Sequence, residues 1–131
     1  FALVVAETAM VEAVEGARDP LSALAAARGS ASGLKPIVTV HRDLFRHPLQ
    51  ADELARFDAV ICDPPRAGAR AQSAALATAG VPVVMMVSCN PNSFARDARI
   101  LADGGYRLDW VRPIGQFLWS RHVELVARFT R

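Results

Sequence analysis

Residues 83–97 read VVMMVSCNPNSFARD, and an apolar run stops there before a helix-like pattern begins. The run predicts a buried strand that ends at Ser88. Cys89 is therefore expected at the carboxyl end of a strand, where open α/β sheets bind their ligands. Pro91 suits the first turn of a helix, and the unpaired N–H groups at a helix start favour the thiolate form of Cys89. The alternative is that Cys89 is a small core residue, because free cysteine is often buried.

The rest of the chain alternates between strand-like and helix-like segments. Strands are predicted at residues 11–16, 37–40, 57–62, 106–113 and 122–130, of which 57–62 is expected to be buried. Helices are predicted at residues 19–28, 50–56, 69–79 and 93–103, with Asp19 as the N-cap of the first. This order indicates the α/β class, with a mostly parallel sheet covered by helices on both faces and an antiparallel hairpin at the C-terminal end.

Composition indicates a single globular domain over residues 1–131. Hydrophobic residues make up 52% of the chain and charged residues 21%, as in chains that bury a core. No apolar run approaches the roughly 18 residues of a membrane span, and no segment reads as a signal peptide. Cys62 and Cys89 lack the spacing of a zinc or iron–sulfur site, so we expect no metal and a cytoplasmic location. The net charge of +2 neither supports nor excludes an RNA partner.

Polar residues follow four of the predicted strands, namely Glu15, Asp43, Asp63 and Cys89. The carboxyl ends of parallel strands lie at one edge of a sheet, so we expect these side chains to meet in one crevice. An acidic residue at such a strand end commonly binds the ribose of a nucleotide cofactor. The alternatives are a solvated strand end for Glu15, a turn cap for Asp43 and a rigid connecting turn for Asp63 with its two prolines.

Three motifs carry a resemblance to a known family. Residues 63–68 read DPPRAG, residues 84–90 read VMMVSCN, and residues 114–124 read IGQFLWSRHVE. In this order they resemble the RNA uracil-5-methyltransferase family, and the resemblance runs from Phe1 to Arg131. It implies a Rossmann-like, class I methyltransferase sheet, S-adenosylmethionine as the cofactor, and transfer RNA or ribosomal RNA as the partner.

The resemblance also implies a role for each motif residue. Cys89 would attack C6 of uracil, so that C5 can accept a methyl group, and Glu124 would then remove the C5 proton. The cofactor would lie against Glu15, Asp43 and Asp63, which correspond to its ribose contact, its adenine contact and the acid between cofactor and target base. Asp63 would also contact the substrate, together with Asn90 and His122.

Several positions depart from the family pattern. Met86 replaces a tyrosine and Ser93 a threonine, and Gly115, Leu118 and Trp119 differ in the last motif. Residues 1–6 resemble the helix that follows the family's glycine-rich cofactor loop, and neither that loop nor the first strand is in the sequence. We therefore expect an N-terminally truncated catalytic domain, with unpaired sheet edges at the strands of residues 11–16 and 57–62.

Three other functions stay open at this point. A cytosine-5-methyltransferase typically has a cysteine after the proline of the strand-end motif, where this chain has none. An amino-group methyltransferase favours an aromatic residue at the position of Arg66, which would stack on the target base. The third is a non-catalytic, truncated Rossmann-like remnant that serves as a binding or interaction domain.

Overall fold

The computed structural model describes residues 1–115, 119 and 123–131. The chain forms two compact units, Phe1–His47 and Pro48–Arg131, which we call unit 1 and unit 2. The strands form two sheets, and the helices and strands follow the predicted order. The assignment of a single domain stays a prediction.

Unit 1 contains α1 (Ala2–Ala6), β1 (Val11–Glu15), α2 (Arg18–Ser30) and β2 (Ile37–His41). The two strands pair in parallel, from Val11 opposite Ile37 to Glu15 opposite His41. Ala6 and Ile37 are buried, whereas α2 has no buried residue. Both strands therefore end at the same edge, and the small core of this unit lies near their beginnings.

Helix α2 begins earlier and ends later than predicted. Its N-cap is Ala17, so the assignment of that role to Asp19 is wrong, and Asp19 lies in the first turn. The N–H group of Ala17 donates to Oε1 of Glu15 at 2.8 Å, which satisfies the main chain before the helix begins. At the other end, Nη1 of Arg28 donates to the carbonyl of Ile37 at 2.8 Å and ties the last turns of α2 to β2.

The described residues of unit 2 form α3 (Ala51–Leu54), β3 (Ala59–Cys62), α4 (Arg70–Ala79), β4 (Val83–Ser88), α5 (Pro91–Asp103), β5 (Arg107–Ile114) and β6 (Glu124–Thr130). Its strand order is β3-β4-β6-β5. Strands β3 and β4 are parallel, and β6 is antiparallel to both β4 and β5. The predicted α/β class, with parallel pairs and a C-terminal antiparallel hairpin, is confirmed.

One face of the unit 2 sheet forms the core. Successive strand residues point to opposite faces, and in β4 the residues Val84, Met86 and Ser88 are buried while their neighbours are half-buried. Ala127 and Phe129 of β6 are fully buried as well. Helices α4 and α5 pack closely, because a Cβ at Gly104 would lie only 2.5 Å from the Cβ of Ala77.

Strand β3 is less buried than predicted. Its residues alternate between exposed and half-buried, and Ile61 is 42% exposed. Among the described residues β3 pairs only with β4, and β1 pairs only with β2. These are the two strands for which unpaired edges were predicted, so the burial predicted for residues 57–62 is wrong because β3 lies at an edge.

Candidate active site

Three predicted site residues come together at one edge of the unit 2 sheet. Cys62 pairs with Met86 in the parallel strands β3 and β4, so Asp63 and Cys89 both follow carboxyl ends at this edge. Strand β6 runs the other way, with Leu125 opposite Ser88. Glu124, the first residue of β6, therefore lies at the same edge as Asp63 and Cys89.

The segment that carries Cys89 is a tight connection between β4 and α5. The hydroxyl of Ser88 donates to the carbonyl of Asn90 at 3.1 Å, and the N–H group of Asn90 donates to that hydroxyl at 3.2 Å. Asn90 is the N-cap of α5, and its side chain accepts from the N–H group of Asn92 at 3.0 Å. Cys89 is half-buried and precedes this cap, so its predicted position at a helix start is confirmed.

The Asp63 loop, residues 63–69, is tied to the beginning of α5. Nδ2 of Asn90 donates to the carbonyl of Arg66 at 3.0 Å, and the Ser93 hydroxyl donates to the same oxygen at 3.1 Å. The side-chain amide of Asn90 thus contacts main chain at both its oxygen and its nitrogen, as a positioning group does. Its predicted contact with substrate stays a prediction.

Two residues of this site were missed by sequence reasoning, namely Arg96 and Asp97. The carboxylate of Asp97 is 1% exposed; it accepts from the N–H group of Ala69 at 2.6 Å and pairs with Nη2 of Arg96 at 2.7 Å. Nη2 of Arg96 also donates to the carbonyl of Ala67 at 2.9 Å. A signal was present in the sequence, because Asp97 has helical spacing from Phe94 and Leu101 and so places a charge on an apolar face.

The surroundings of Cys62 disfavour its thiolate form. Burial, followed by the negative charges of Asp97 and Asp63, raises the pKa of the Cys62 thiol to about 12. Cys62 is therefore protonated at neutral pH, and the thiolate is the nucleophilic form of cysteine. Of the two cysteines, Cys89 is the candidate nucleophile.

Glu15 and Asp43 lie at the adjacent strand ends of unit 1. The N–H group of Arg42 donates to the carbonyl of Glu15 at 3.0 Å, and a Cβ at Gly16 would lie 3.6 Å from the Cα of Asp43. Oδ1 of Asp43 accepts from the N–H groups of Phe45 at 3.0 Å and Arg46 at 3.2 Å. Asp43 therefore caps a turn, which is one of the two interpretations that its sequence left open.

Each unit brings two of the four predicted strand-end residues to one sheet edge, and the meeting of all four in one crevice stays a prediction. Glu15 and Asp43 belong to unit 1, and Asp63 and Cys89 belong to unit 2. His122 lies outside the described residues.

Within residues 1–115, 119 and 123–131, no cluster of three or more His, Cys, Asp or Glu side chains could hold a metal ion. Among the helices that the structure describes, none is long and apolar enough to cross a membrane.

Comparison with known proteins identifies the family. The family model described as tRNA (Uracil-5-)-methyltransferase matches residues 6–130. The chain belongs to this family. The resemblance that was drawn from the three sequence motifs is therefore confirmed.

Individual relatives agree with this assignment. An uncharacterised RNA methyltransferase of Rhizobium meliloti (strain 1021) is 54% identical over 127 residues, which are 97% of this chain and 31% of that protein. A 23S rRNA (uracil(1939)-C(5))-methyltransferase of Alteromonas naphthalenivorans is 37% identical over 133 residues, which are 100% of this chain and 28% of that protein. The chain thus spans about a third of the length of the curated relatives that it matches.

A solved structure shows the same fold. The Pyrococcus abyssi tRNA (uracil-54, C5)-methyltransferase, crystallised in complex with S-adenosyl-L-homocysteine, has a TM-score of 0.72 to this chain. It is 27% identical, and the match covers 98% of this chain and 30% of that one. The predicted Rossmann-like methyltransferase fold is confirmed by this likeness.

Proposed function

We propose that the protein carrying this segment transfers a methyl group from S-adenosylmethionine to C5 of a uridine in transfer RNA or ribosomal RNA. The reaction proceeds through a covalent bond between Sγ of Cys89 and C6 of the base. One observation carries this proposal: Asp63, Cys89 and Glu124 lie at one edge of three neighbouring strands. An RNA-modifying reaction in the cytoplasm is the setting that we expect.

The residues of unit 1 fit a nucleoside cofactor. A ribose diol needs a hydrogen-bond acceptor, and the Glu15 carboxylate is oriented at its strand end by the N–H group of Ala17. Glu15 and Gly16 are both exposed, so the strand end is accessible to a ligand. Asp43 offers Oδ2, which faces the exposed Arg46 side chain at 3.6 Å in an ion pair that a ligand can replace. The bound cofactor supplies the methyl group.

Cys89 starts the reaction by attacking C6. The new S–C6 bond takes its electron pair from the thiolate, and the electrons of the C5–C6 double bond move toward O4 as an enolate. C5 thereby becomes nucleophilic enough to accept the methyl group. Cys89 lies one residue before Asn90, the N-cap of α5, so the attacking sulfur is held at the start of that helix.

Glu124 completes the reaction as a general base. Its carboxylate takes the C5 proton, the C5–C6 double bond forms again, and the electrons of the S–C6 bond return to Cys89. Asp63 follows β3, and Cys89 follows the neighbouring strand β4. Asp63 can therefore orient the target base beside the nucleophile. Because a stacked uracil cannot reach Cys89, the target is an unstacked or flipped base.

The decisive experiment traps the covalent bond. The full gene product that contains this segment is incubated with S-adenosylmethionine and RNA that contains 5-fluorouridine, and adducts are detected by denaturing gel and mass spectrometry. Fluorine at C5 cannot leave as a proton does, so the methylated base stays attached. We expect an adduct at Cys89 that is lost in Cys89→Ala and retained in the control Cys62→Ala.

The same experiment addresses the alternative of a non-catalytic remnant. A folded protein that binds the cofactor and forms no adduct would contradict the role of Cys89 and support a binding or interaction domain. An adduct that persists in Cys89→Ala would also contradict the proposal, since another nucleophile would then have to be responsible.

A further inference from the structure

The Asp63 loop and the Cys89 segment are joined by side chains from the first turns of α5. Asn90 and Ser93 hold the carbonyl of Arg66, and Arg96 holds the carbonyl of Ala67. Asp97 completes the set by accepting from the N–H group of Ala69. Asn90 is the N-cap of α5 and the other three side chains belong to the helix itself, so both loops are attached to the same rigid element.

Asp97 is the most buried of these four residues, and Arg96 is its ion-pair partner. The two oxygens of the Asp97 carboxylate have separate partners: Oδ2 accepts from Ala69, and Oδ1 accepts from Nε of Arg96 at 2.8 Å. A carboxylate that is 1% exposed is stable only when it is paired and hydrogen-bonded in this way. The buried Asp97 carboxylate therefore needs these partners to stay ionised in the folded protein.

The turn of the loop is shaped to fit this pair. Gly68 has a φ of +79°, and a Cβ at that position would lie 2.5 Å from both Nη2 of Arg96 and Oδ2 of Asp97. The glycine thus lets the main chain reach the buried carboxylate, and its N–H group closes the turn by donating to the carbonyl of Pro65 at 2.8 Å. Asp63 lies two residues before that carbonyl, so the same contacts limit where Asp63 can move.

We infer that Arg96 and Asp97 are positioning residues for methyl transfer, which hold the Asp63 loop in register with Cys89. This inference rests on the proposed function. The pair contacts neither substrate nor cofactor in this role. It acts through Asp63, so its loss should impair the step that needs Asp63 and Cys89 together, and it should spare the intrinsic reactivity of Cys89, whose own segment is held by Ser88 and Asn90.

The test compares Asp97→Asn with a matched control on the same helix. Asparagine keeps the size of the side chain and an acceptor for Ala69 but loses the ion pair with Arg96. The control Asp103→Asn removes the exposed Arg99–Asp103 ion pair of 2.8 Å at the far end of α5. In the full gene product we would measure single-turnover methyl transfer to uridine RNA, affinity for S-adenosylhomocysteine, and the rate at which iodoacetamide alkylates Cys89.

We expect methyl transfer to fall by about 10- to 100-fold in Asp97→Asn, the range that a misplacement of about 1 Å produces. Cofactor affinity and Cys89 alkylation should stay within about twofold of the unchanged protein. Asp103→Asn should match the unchanged protein in all three measurements. A folded Asp97→Asn protein that methylates as fast as the control would overturn the inference, and so would an equal loss in all three measurements, which indicates general destabilisation.

A second variant keeps the test decisive if Asp97→Asn does not fold. Arg96 is 40% exposed, and Arg96→Lys keeps the charge but cannot reproduce the contacts of a planar guanidinium with both Asp97 and Ala67. We expect the same division, with methyl transfer reduced about 3- to 10-fold and alkylation unchanged. If methyl transfer and alkylation of Cys89 change equally in this variant, the inference is overturned. The unchanged protein is measured first. If it does not methylate uridine, both the proposed function and this inference are overturned.

Discussion

In unit 1, the carboxylates of Glu15 and Asp43 accept hydrogen bonds from main-chain groups two or three residues further along the chain. In unit 2, the carboxylate of Asp97 accepts from Ala69, which is 28 residues away. A local contact fixes only its own turn, whereas a long-range contact fixes two segments relative to each other. The comparison teaches that the acids of unit 1 are oriented by their own turns, whereas the buried acid of unit 2 joins two distant segments of the candidate site.

The largest expected effect tests whether unit 2 is the centre of the chemistry. Glu124→Gln keeps the size of the side chain and removes the base, so release of free 5-methyluridine RNA should slow by about 100- to 10,000-fold. Ordinary uridine RNA should then accumulate as a covalent adduct, because elimination from Cys89 needs loss of the C5 proton. Both are measured by single-turnover kinetics and denaturing gel. Turnover at the normal rate without an adduct would exclude Glu124 as the base.

A second prediction compares the two units through glycines of the same conformation. Gly68 of unit 2 and Gly33 of unit 1 have φ values of +79° and +78°, but only Gly68 has atoms within 4 Å of an added Cβ. Gly33→Ala should lower the free energy of unfolding by about 1 kcal/mol through backbone strain alone. Gly68→Ala should lower it by roughly 2–4 kcal/mol, because crowding by Arg96 and Asp97 is added.

Urea unfolding of the full gene product measures both glycine variants. Equal losses for Gly33→Ala and Gly68→Ala would mean that the Asp63 loop yields to the added methyl group. The contacts of Arg96 and Asp97 with the Asp63 loop would then be looser than the structure describes.

A third prediction concerns the cofactor side in unit 1. Glu15→Gln retains an acceptor for Ala17 and loses the charge that strengthens a bond to a ribose hydroxyl. Affinity for S-adenosylhomocysteine, measured by calorimetry, should fall about 10-fold, while methyl transfer at saturating cofactor changes little. Glu12→Gln, at the second position of β1, is a control that should bind normally. A loss of rate at saturation would place Glu15 in the chemistry itself.

The effect that is smallest at neutral pH is a pH dependence from Cys62. Its pKa is raised from 9.0 to about 12 in the folded protein. The stability that this thiol contributes is therefore fully present below pH 9 and is lost as the pH rises from about 9 to about 12, because the unfolded chain gives up the proton first. Cys62→Ala should unfold with a flatter pH dependence over that window, measured by urea titration. An unchanged slope would contradict the raised pKa.

The order of elements could be predicted because local signals were strong. Strand β4 follows from the apolar run before Ser88, and α5 begins at Pro91, two residues before the predicted start at Ser93. The positions of Asp63 and Cys89 at one sheet edge follow from the same pattern. The beginning of α2 was predicted less accurately, because the side chain of Glu15, from outside the helix, satisfies the N–H group of Ala17.

Other features depend on contacts between distant parts of the chain. The pairing of Asp97 with Ala69 joins residues whose nearness no local pattern encodes. The exposure of Ile61 follows from the place of β3 at a sheet edge, which an apolar run cannot reveal. The division of the four strand ends between two units is likewise a property of packing.

The side chains of Asn90, Ser93, Arg96 and Asp97 hold the Asp63 loop through its main-chain atoms. The bound atoms are the carbonyls of Arg66 and Ala67 and the N–H group of Ala69, and they are the same for every residue type except proline, which would lack the N–H group at position 69. Sequence drift at positions 66, 67 and 69 can therefore alter what the loop offers to a substrate without loosening its attachment. Position 68 has no such freedom, and a lineage that keeps Asp97 is bound to keep its glycine.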